Sequence, residues 1–218
     1  MKKITLLFSA AALLAACNNS SDAEKATTSE TQEVKAAGGS VYTLDSTTTI
    51  SWTGFKPTGK HNGIFKVSDG SLLVKENVLT GGNFTIDINS LVDYDLATDA
   101  ESKSKLEGHL KSPDFFDAAK YPIAKFVITS VEPYVPDSST TLKDATHVIK
   151  GNFTLKDSTK NISFPAKITV DGNTAAAFAD FNIDRTLWGL NYKGPENPQD
   201  WIIRKEVNIK FSISATKK

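Results

Sequence analysis

The chain has 218 residues, 39% of them hydrophobic and 23% charged, with 25 basic residues against 25 acidic ones. That composition suits one large or two small folded domains; it is too apolar for a disordered chain, and balanced charge offers no basic face for nucleic acid. The single cysteine rules out an internal disulfide, a c-type haem, an iron–sulfur cluster and a Cys-rich zinc site.

Lys2 and Lys3 precede an apolar run from Ile4 to Ala16, interrupted by Thr5 and Ser9. The run is shorter than the roughly 20 residues a bilayer-crossing helix needs. It reads as a secretory signal peptide over residues 1–16. Leu14-Ala15-Ala16-Cys17 resembles a bacterial lipobox. Its small residues let a peptidase reach the backbone, and its thiol takes up a diacylglyceryl group. The resemblance implies cleavage before Cys17 and acylation there. Losing residues 1–16 removes Lys2 and Lys3 and no acidic residue, so the net charge falls from 0 to −2. Residues 17–40 are rich in Ser, Thr, Ala, Glu and Lys, with Val34 the one strongly apolar residue. Such a stretch cannot bury enough surface to offset its ordering entropy, and it reads as a lipid-attached flexible linker.

From Val41 onward the pattern is β. Alternation of period two runs through Thr49–Thr53, Asn83–Asn89, Asn161–Val170 and Glu206–Ile213. Each run has one apolar and one polar face, as in an antiparallel sheet wet on one side. Turns are expected at Ser68-Asp69-Gly70, Gly81-Gly82, Asp157-Ser158-Thr159 and Asp171-Gly172-Asn173. Pro165 cannot donate to a ladder and marks an edge or a bulge. Phe178 and its neighbouring alanines fit a strand that leaves room inside. Thr98–Leu110 breaks the pattern with helix formers, and Asp99 can cap it. Eight or nine one-faced strands must hide their edges, either in a closed barrel, which at about eight strands leaves a cavity, or in a two-sheet sandwich.

No G-x-S-x-G elbow, HExxH spacing or phosphate-binding loop is present, and His61, His109 and His147 stand 48 and 38 residues apart. Asp93, Asp95 and Asp99 fail the calcium-loop spacing and read as a solvated loop. No catalytic residue, metal ligand or cofactor is therefore assigned, and no enzyme activity is expected.

Glu107-Gly108-His109-Leu110-Lys111-Ser112-Pro113-Asp114-Phe115-Phe116-Asp117 resembles the HL-x-S-x-DFFD signature of the YceI-like family. Tyr42–Asp45, Trp52-Thr53-Gly54, His61-Asn62-Gly63, Tyr121-Pro122 with Phe126, Gly151–Leu155, Ile183-Asp184-Arg185 and Trp188-Gly189-Leu190 follow in the family's order. The resemblance covers residues 41–218. It departs at Asn152-Phe153, where a small-Leu pair is usual, and in the proline-rich loop Gly194–Pro198. It implies an all-β domain: an extended eight-stranded antiparallel barrel, lipocalin-like, with one short helical excursion near residues 99–110. It also implies binding of a long apolar lipid, an isoprenoid quinone or polyprenyl lipid, that is sequestered or shuttled near a membrane.

The candidate ligand-binding residues are Trp52, Phe84, Ile86, Phe115, Phe116, Phe126, Phe153, Phe164, Phe178 and Trp188. In a filled barrel these side chains are core; in a hollow one they contact ligand, and both need apolar groups inside. Phe115 and Phe116 either cap the mouth or plug the barrel end. His109 reads as a structural hydrogen-bonder, and Arg185 as half of an ion pair with Asp184. Trp188 and Trp201 bracket a loop as portal or anchor. The expected partners are the isoprenoid-type lipid and, through acylated Cys17, the membrane, with a homodimer left open. The expected location is the outer membrane, facing the periplasm. The alternative is a ligand-free, filled-core module acting in protein interaction or adhesion at the cell envelope.

Overall fold

The computed structural model describes residues 21–194 and 203–218. The signal segment, the lipobox with Cys17, and Trp201 lie outside the described residues. Eight antiparallel staves close into a barrel with one short helix. The first stave is split: β3 (Ser40–Leu44) and β4 (Thr49–Lys56) lie end to end between the same two neighbours. Then come β5 (Gly59–Lys75), β6 (Val78–Asp93), β7 (Ile123–Pro133), β8 (His147–Leu155), β9 (Ser158–Asp171), β10 (Thr174–Asp184) and β11 (Glu206–Lys217). Closure comes from β11 pairing with β3 and β4, which leaves no long free edge.

Helix α1 (Ala100–Lys111) links β6 to β7. Asp99 caps it as expected, accepting from the Ser102 amide at 3.0 Å and the Ser102 hydroxyl at 2.7 Å. The Asp171-Gly172 turn joins β9 to β10, with Gly172 at φ 52°. Two expected turns lie inside strands instead. Ser68-Asp69-Gly70 falls in β5 at a register shift between Val67 and Asp69, and Gly81-Gly82 falls in β6. The turn between those strands is Glu76-Asn77, with φ of 53° and 62°. Glycines that look like turn formers serve close approach here: a Cβ on Gly82 would lie 2.6 Å from the Ser71 carbonyl oxygen.

The described part of the stretch read as a flexible linker is paired with the barrel. Residues 24–25 form β1, parallel to β10 at Phe181 and Asn182; residues 27–29 form β2, antiparallel to β9 at Asn161–Ser163. The physical reason lies in the two barrel strands. β9 and β10 pair directly only over 167–171 and 174–178, and beyond that they splay. Pro165 sits at the point of splaying, where it owes no amide to a ladder on that side. The N-terminal segment fills the gap, buries Ala26, and gives Asn182 Nδ2 two carbonyl acceptors, Ser21 at 3.2 Å and Ala23 at 2.7 Å. Composition missed this because a short wedge draws its hydrogen bonds from its neighbours and needs no apolar periodicity of its own.

The interior is filled at one end. Phe84, Phe126, Phe164, Phe181 and Phe211 pack together, with Phe84 stacked on Phe126 at 5.4 Å and Phe164 on Phe181 at 4.0 Å. Gly151 permits the Phe126 ring to lie flat on β8, because a Cβ there would sit 2.2 Å from the ring.

Candidate functional site: an apolar cavity under a helix

Above the phenylalanine cluster the barrel is hollow. A cavity of about 300 Å³ opens toward the end where β4 meets β5 and β6 runs into α1. Its walls are Trp52 from β4, Phe65 from β5, Ile86 and Ile88 from β6 and Phe153 from β8, and its floor is Phe181 and Phe211. Period two puts these residues inside: buried positions 84, 86 and 88 alternate with more accessible ones along β6. Leu106 and Leu110 of α1, with Phe115 and Phe116 after it, cover the mouth. No residue of α1 is fully buried, so the helix rests on the mouth rather than being locked into the core.

Trp52, Ile86, Phe115, Phe116 and Phe153 line this cavity. Phe84, Phe126 and Phe164 lie in the packed cluster below it. Phe178 is on the outer face of β10, 37% exposed, because the inward positions of that strand are 175, 179, 181 and 183. Trp188 is buried outside the cavity wall, donating Nε1–H to the Phe153 carbonyl at 3.1 Å. Phe65, Ile88 and the two leucines of α1 are among the further lining residues; only the folded barrel and the seated helix place them there.

Polar groups gather at the rim. His109 contacts Asp114 through Nε2 at 2.9 Å, and its ring lies edge-on to Phe115 at 5.2 Å and Tyr192 at 4.8 Å. Arg185 is buried, and its direct partners are carbonyls rather than Asp184. Nε donates to Arg204 at 3.0 Å, Nη2 to Tyr192 and Ile203 at 3.1 Å each, and Nη1 to Leu190. It thereby ties the 3₁₀ turn Arg185–Trp188 to the segment leading into β11. Burial lowers the affinity of this guanidinium for its proton below the ordinary value; it stays charged all the same. Burial alone would raise Asp184, but the Thr186 hydroxyl and amide and the Lys205 ammonium outweigh it and hold the carboxyl below its usual range.

Residues 40–215 match the YceI-like domain family, and residues 1–18 match the prokaryotic membrane lipoprotein lipid attachment site. The chain belongs to the YceI-like family. A UPF0312 protein of Pseudomonas putida strain F1 is 33% identical to this YceI-like chain over 125 residues, and one from strain W619 is 35% identical over 125 residues. Each match covers 54% of this chain and 60% of the relative, so the chain spans about three fifths of the length of those relatives. Among solved structures, BcnA of Burkholderia cenocepacia superposes with a TM-score of 0.61 at 22% identity, covering 79% of this chain and 99% of BcnA. A polyisoprenoid-binding domain from Saccharophagus degradans, implicated in plant cell wall breakdown, gives 0.57 at 14% identity over 81% of this chain and 98% of that one. At these identities the likeness shows a shared barrel. As a YceI-like lipoprotein, the chain is anchored to a membrane of the cell envelope.

The cavity roof yields the first prediction. Phe115 is buried and Phe116 packs edge-on against Phe65 at 5.4 Å. Replacing both by Ala is expected to cost roughly 3–5 kcal/mol for the buried ring, and less for the half-buried one. Urea denaturation measures that loss. A stability within about 0.5 kcal/mol of the parent would show that the pair does not seal the barrel end.

Proposed function

We propose that this protein binds a long apolar lipid, an isoprenoid quinone or polyprenyl lipid, in the cavity under α1 and sequesters or shuttles it close to the membrane. The observation that carries the reading is the cavity itself: about 300 Å³ with an almost wholly apolar wall, in a barrel whose other end is filled by stacked phenylalanines around a gap of only about 30 Å³. A packed core of this size would fill such a void, since protein interiors leave few gaps larger than a water molecule. The volume lies at the lower end of the roughly 300–1,000 Å³ of small-molecule sites. It therefore takes the end of a long chain while the rest leaves through the mouth beside α1. The polyisoprenoid-binding description of the Saccharophagus degradans neighbour, which shares the barrel, agrees with this ligand class. Among the described residues the wall is almost wholly apolar, which suits a role of holding and release. The lipobox, together with the signal segment, supports a membrane-anchored lipoprotein of the cell envelope, and the site we propose for it is the outer membrane, facing the periplasm.

The paired N-terminal segment sets the working distance. Three residues separate Cys17 from Ser21, whose carbonyl is held by Asn182. Four residue steps of at most about 3.6 Å give a reach of roughly 14 Å. A free linker through residue 40 would wander over an r.m.s. distance of about 26 Å and extend much farther. The barrel is thus kept near the lipid surface, which suits a ligand that water will not dissolve.

Organic extraction of the purified full-length protein followed by mass spectrometry tests the reading. An isoprenoid-type lipid should be recovered from the parent and at least tenfold less from Ile86→Trp, which fills the cavity from β6. Recovery of no lipid from either protein, after purification without stripping, would favour the filled-core interaction module.

A further inference from the structure

Three side chains of metal-ligating type, His61 from one strand and the near neighbours Asp93 and Asp95 from the end of the next, converge near the cavity rim. His61 lies near the start of β5, Asp93 ends β6 and Asp95 follows it. Gly63 faces Asp93 across the two strands, and a Cβ on Gly63 would stand 1.9 Å from the Val92 carbonyl oxygen, so only glycine allows this approach. The donor atoms of His61, Asp93 and Asp95 all lie within 4.8 Å of one another. His61 Nδ1 is 2.8 Å from Asp95 Oδ2, and Asp95 Oδ1 accepts from the Asn62 amide at 2.8 Å.

Asp93 supplies the independent clue. Its side chain is fully buried, with 0% exposure. Its amide donates to Glu107 at 2.9 Å, its carbonyl accepts from Lys103 Nζ at 2.5 Å, and its Oδ1 accepts from the Leu96 amide at 2.9 Å. Oδ2 has no donor among the described residues, and its acidic neighbour is Asp95. Two carboxyl groups in contact, one of them withdrawn from water, need a proton or a cation between them. The backbone contacts fix Asp93 in place, and Oδ2 is the oxygen turned to the cluster.

We propose that His61, Asp93 and Asp95 bind a divalent first-row transition ion of the zinc class. One imidazole nitrogen and two carboxylate oxygens make a three-ligand set that leaves a fourth, open position, and the two carboxylates balance the charge of the dication. Calcium and magnesium prefer six or more oxygens, which this corner does not offer. On binding, Nδ1 coordinates while the ring proton moves to Nε2, and the flexible Lys56 side chain, now 3.0 Å from Nε2, turns to solvent. His61 and Lys56 also line the cavity, so the ion sits at its mouth. The inference does not depend on what fills the cavity.

Detergent-solubilised full-length protein, untagged and stripped with a chelator, is dialysed against Zn²⁺ or Ca²⁺, and bound metal is counted by inductively coupled plasma mass spectrometry. One zinc per chain and a zinc-dependent rise in melting temperature are expected, with no stoichiometric calcium. His61→Gln and Asp95→Asn, each checked for folding by circular dichroism, should weaken zinc binding at least tenfold, while His109→Gln leaves it unchanged. Substoichiometric zinc in the parent, equal uptake of calcium, or undiminished zinc in folded His61→Gln would overturn the assignment.

Discussion

Cys17→Ser should move the protein from the membrane to the soluble fraction almost completely. Each buried methylene of an acyl chain contributes about 0.8 kcal/mol, and one chain holds only marginally whereas two or three hold essentially for good. Among the described residues no helix is long and apolar enough to cross a membrane. Phase partitioning in detergent and fractionation of cells measure the change. The parent should enter the detergent phase and the variant the aqueous phase. A variant that stays with the membrane would place the anchor elsewhere. On the proposed lipid-binding role, the soluble variant should also carry less ligand, because the barrel is no longer anchored at a lipid surface.

Deleting residues 21–32 should destabilise the barrel, although the sequence of that stretch looks dispensable. The segment holds Ala26 at 4% exposure in the gap between β9 and β10. The Ala26 amide bonds to the Asn182 carbonyl at 2.8 Å, and Gln32 exchanges two bonds with Asn152, at 3.0 and 2.7 Å. With the two bonds from Asn182 Nδ2 there are five, and at about 0.5–1.5 kcal/mol each they sum to roughly 2.5–7.5 kcal/mol. That is a large share of the 5–15 kcal/mol typical of a domain, and at about 2–4 °C per kcal/mol it lowers the melting temperature by roughly 5–30 °C. Ala26→Asp tests the same gap with one residue, by placing a charge where water is excluded. Melting curves for both, in detergent, check the prediction. Unchanged melting in the deletion would restore the segment to a free linker.

Much of the fold was legible in the residues. Period-two alternation at 83–89, 161–170 and 206–213 marked β6, β9 and β11, because a side chain that must face a core or water every second residue leaves that trace. Asp99 and Asp171-Gly172 marked a cap and a turn by chemistry that acts within a few residues. The HL-x-S-x-DFFD run pointed to the family, and the lipobox to the anchor.

What stayed hidden depends on partners distant in sequence. Ser68-Asp69-Gly70 and Gly81-Gly82 have the composition of turns, yet they lie inside long strands where two backbones press together. Residues 24–29 carry no β pattern and become strands because β9 and β10 diverge and leave amides and carbonyls to be paired. The ten candidate ligand residues are all apolar, and apolar character alone cannot say whether a side chain fills space or borders it. The closed barrel decided that, by stacking Phe84, Phe126 and Phe164 into a plug and leaving Trp52, Ile86 and Phe153 around a void. His61 and Asp93 look unrelated in the chain and meet only because β5 and β6 pair through Gly63. By itself the sequence determined the one-faced antiparallel β class, the helix and the membrane address, since each is written in local periodicity or a short motif; the barrel over the sandwich came with the family resemblance. The tertiary structure alone decided which end is hollow, what fills the seam and which polar groups share a corner, since those follow from closure of the sheet.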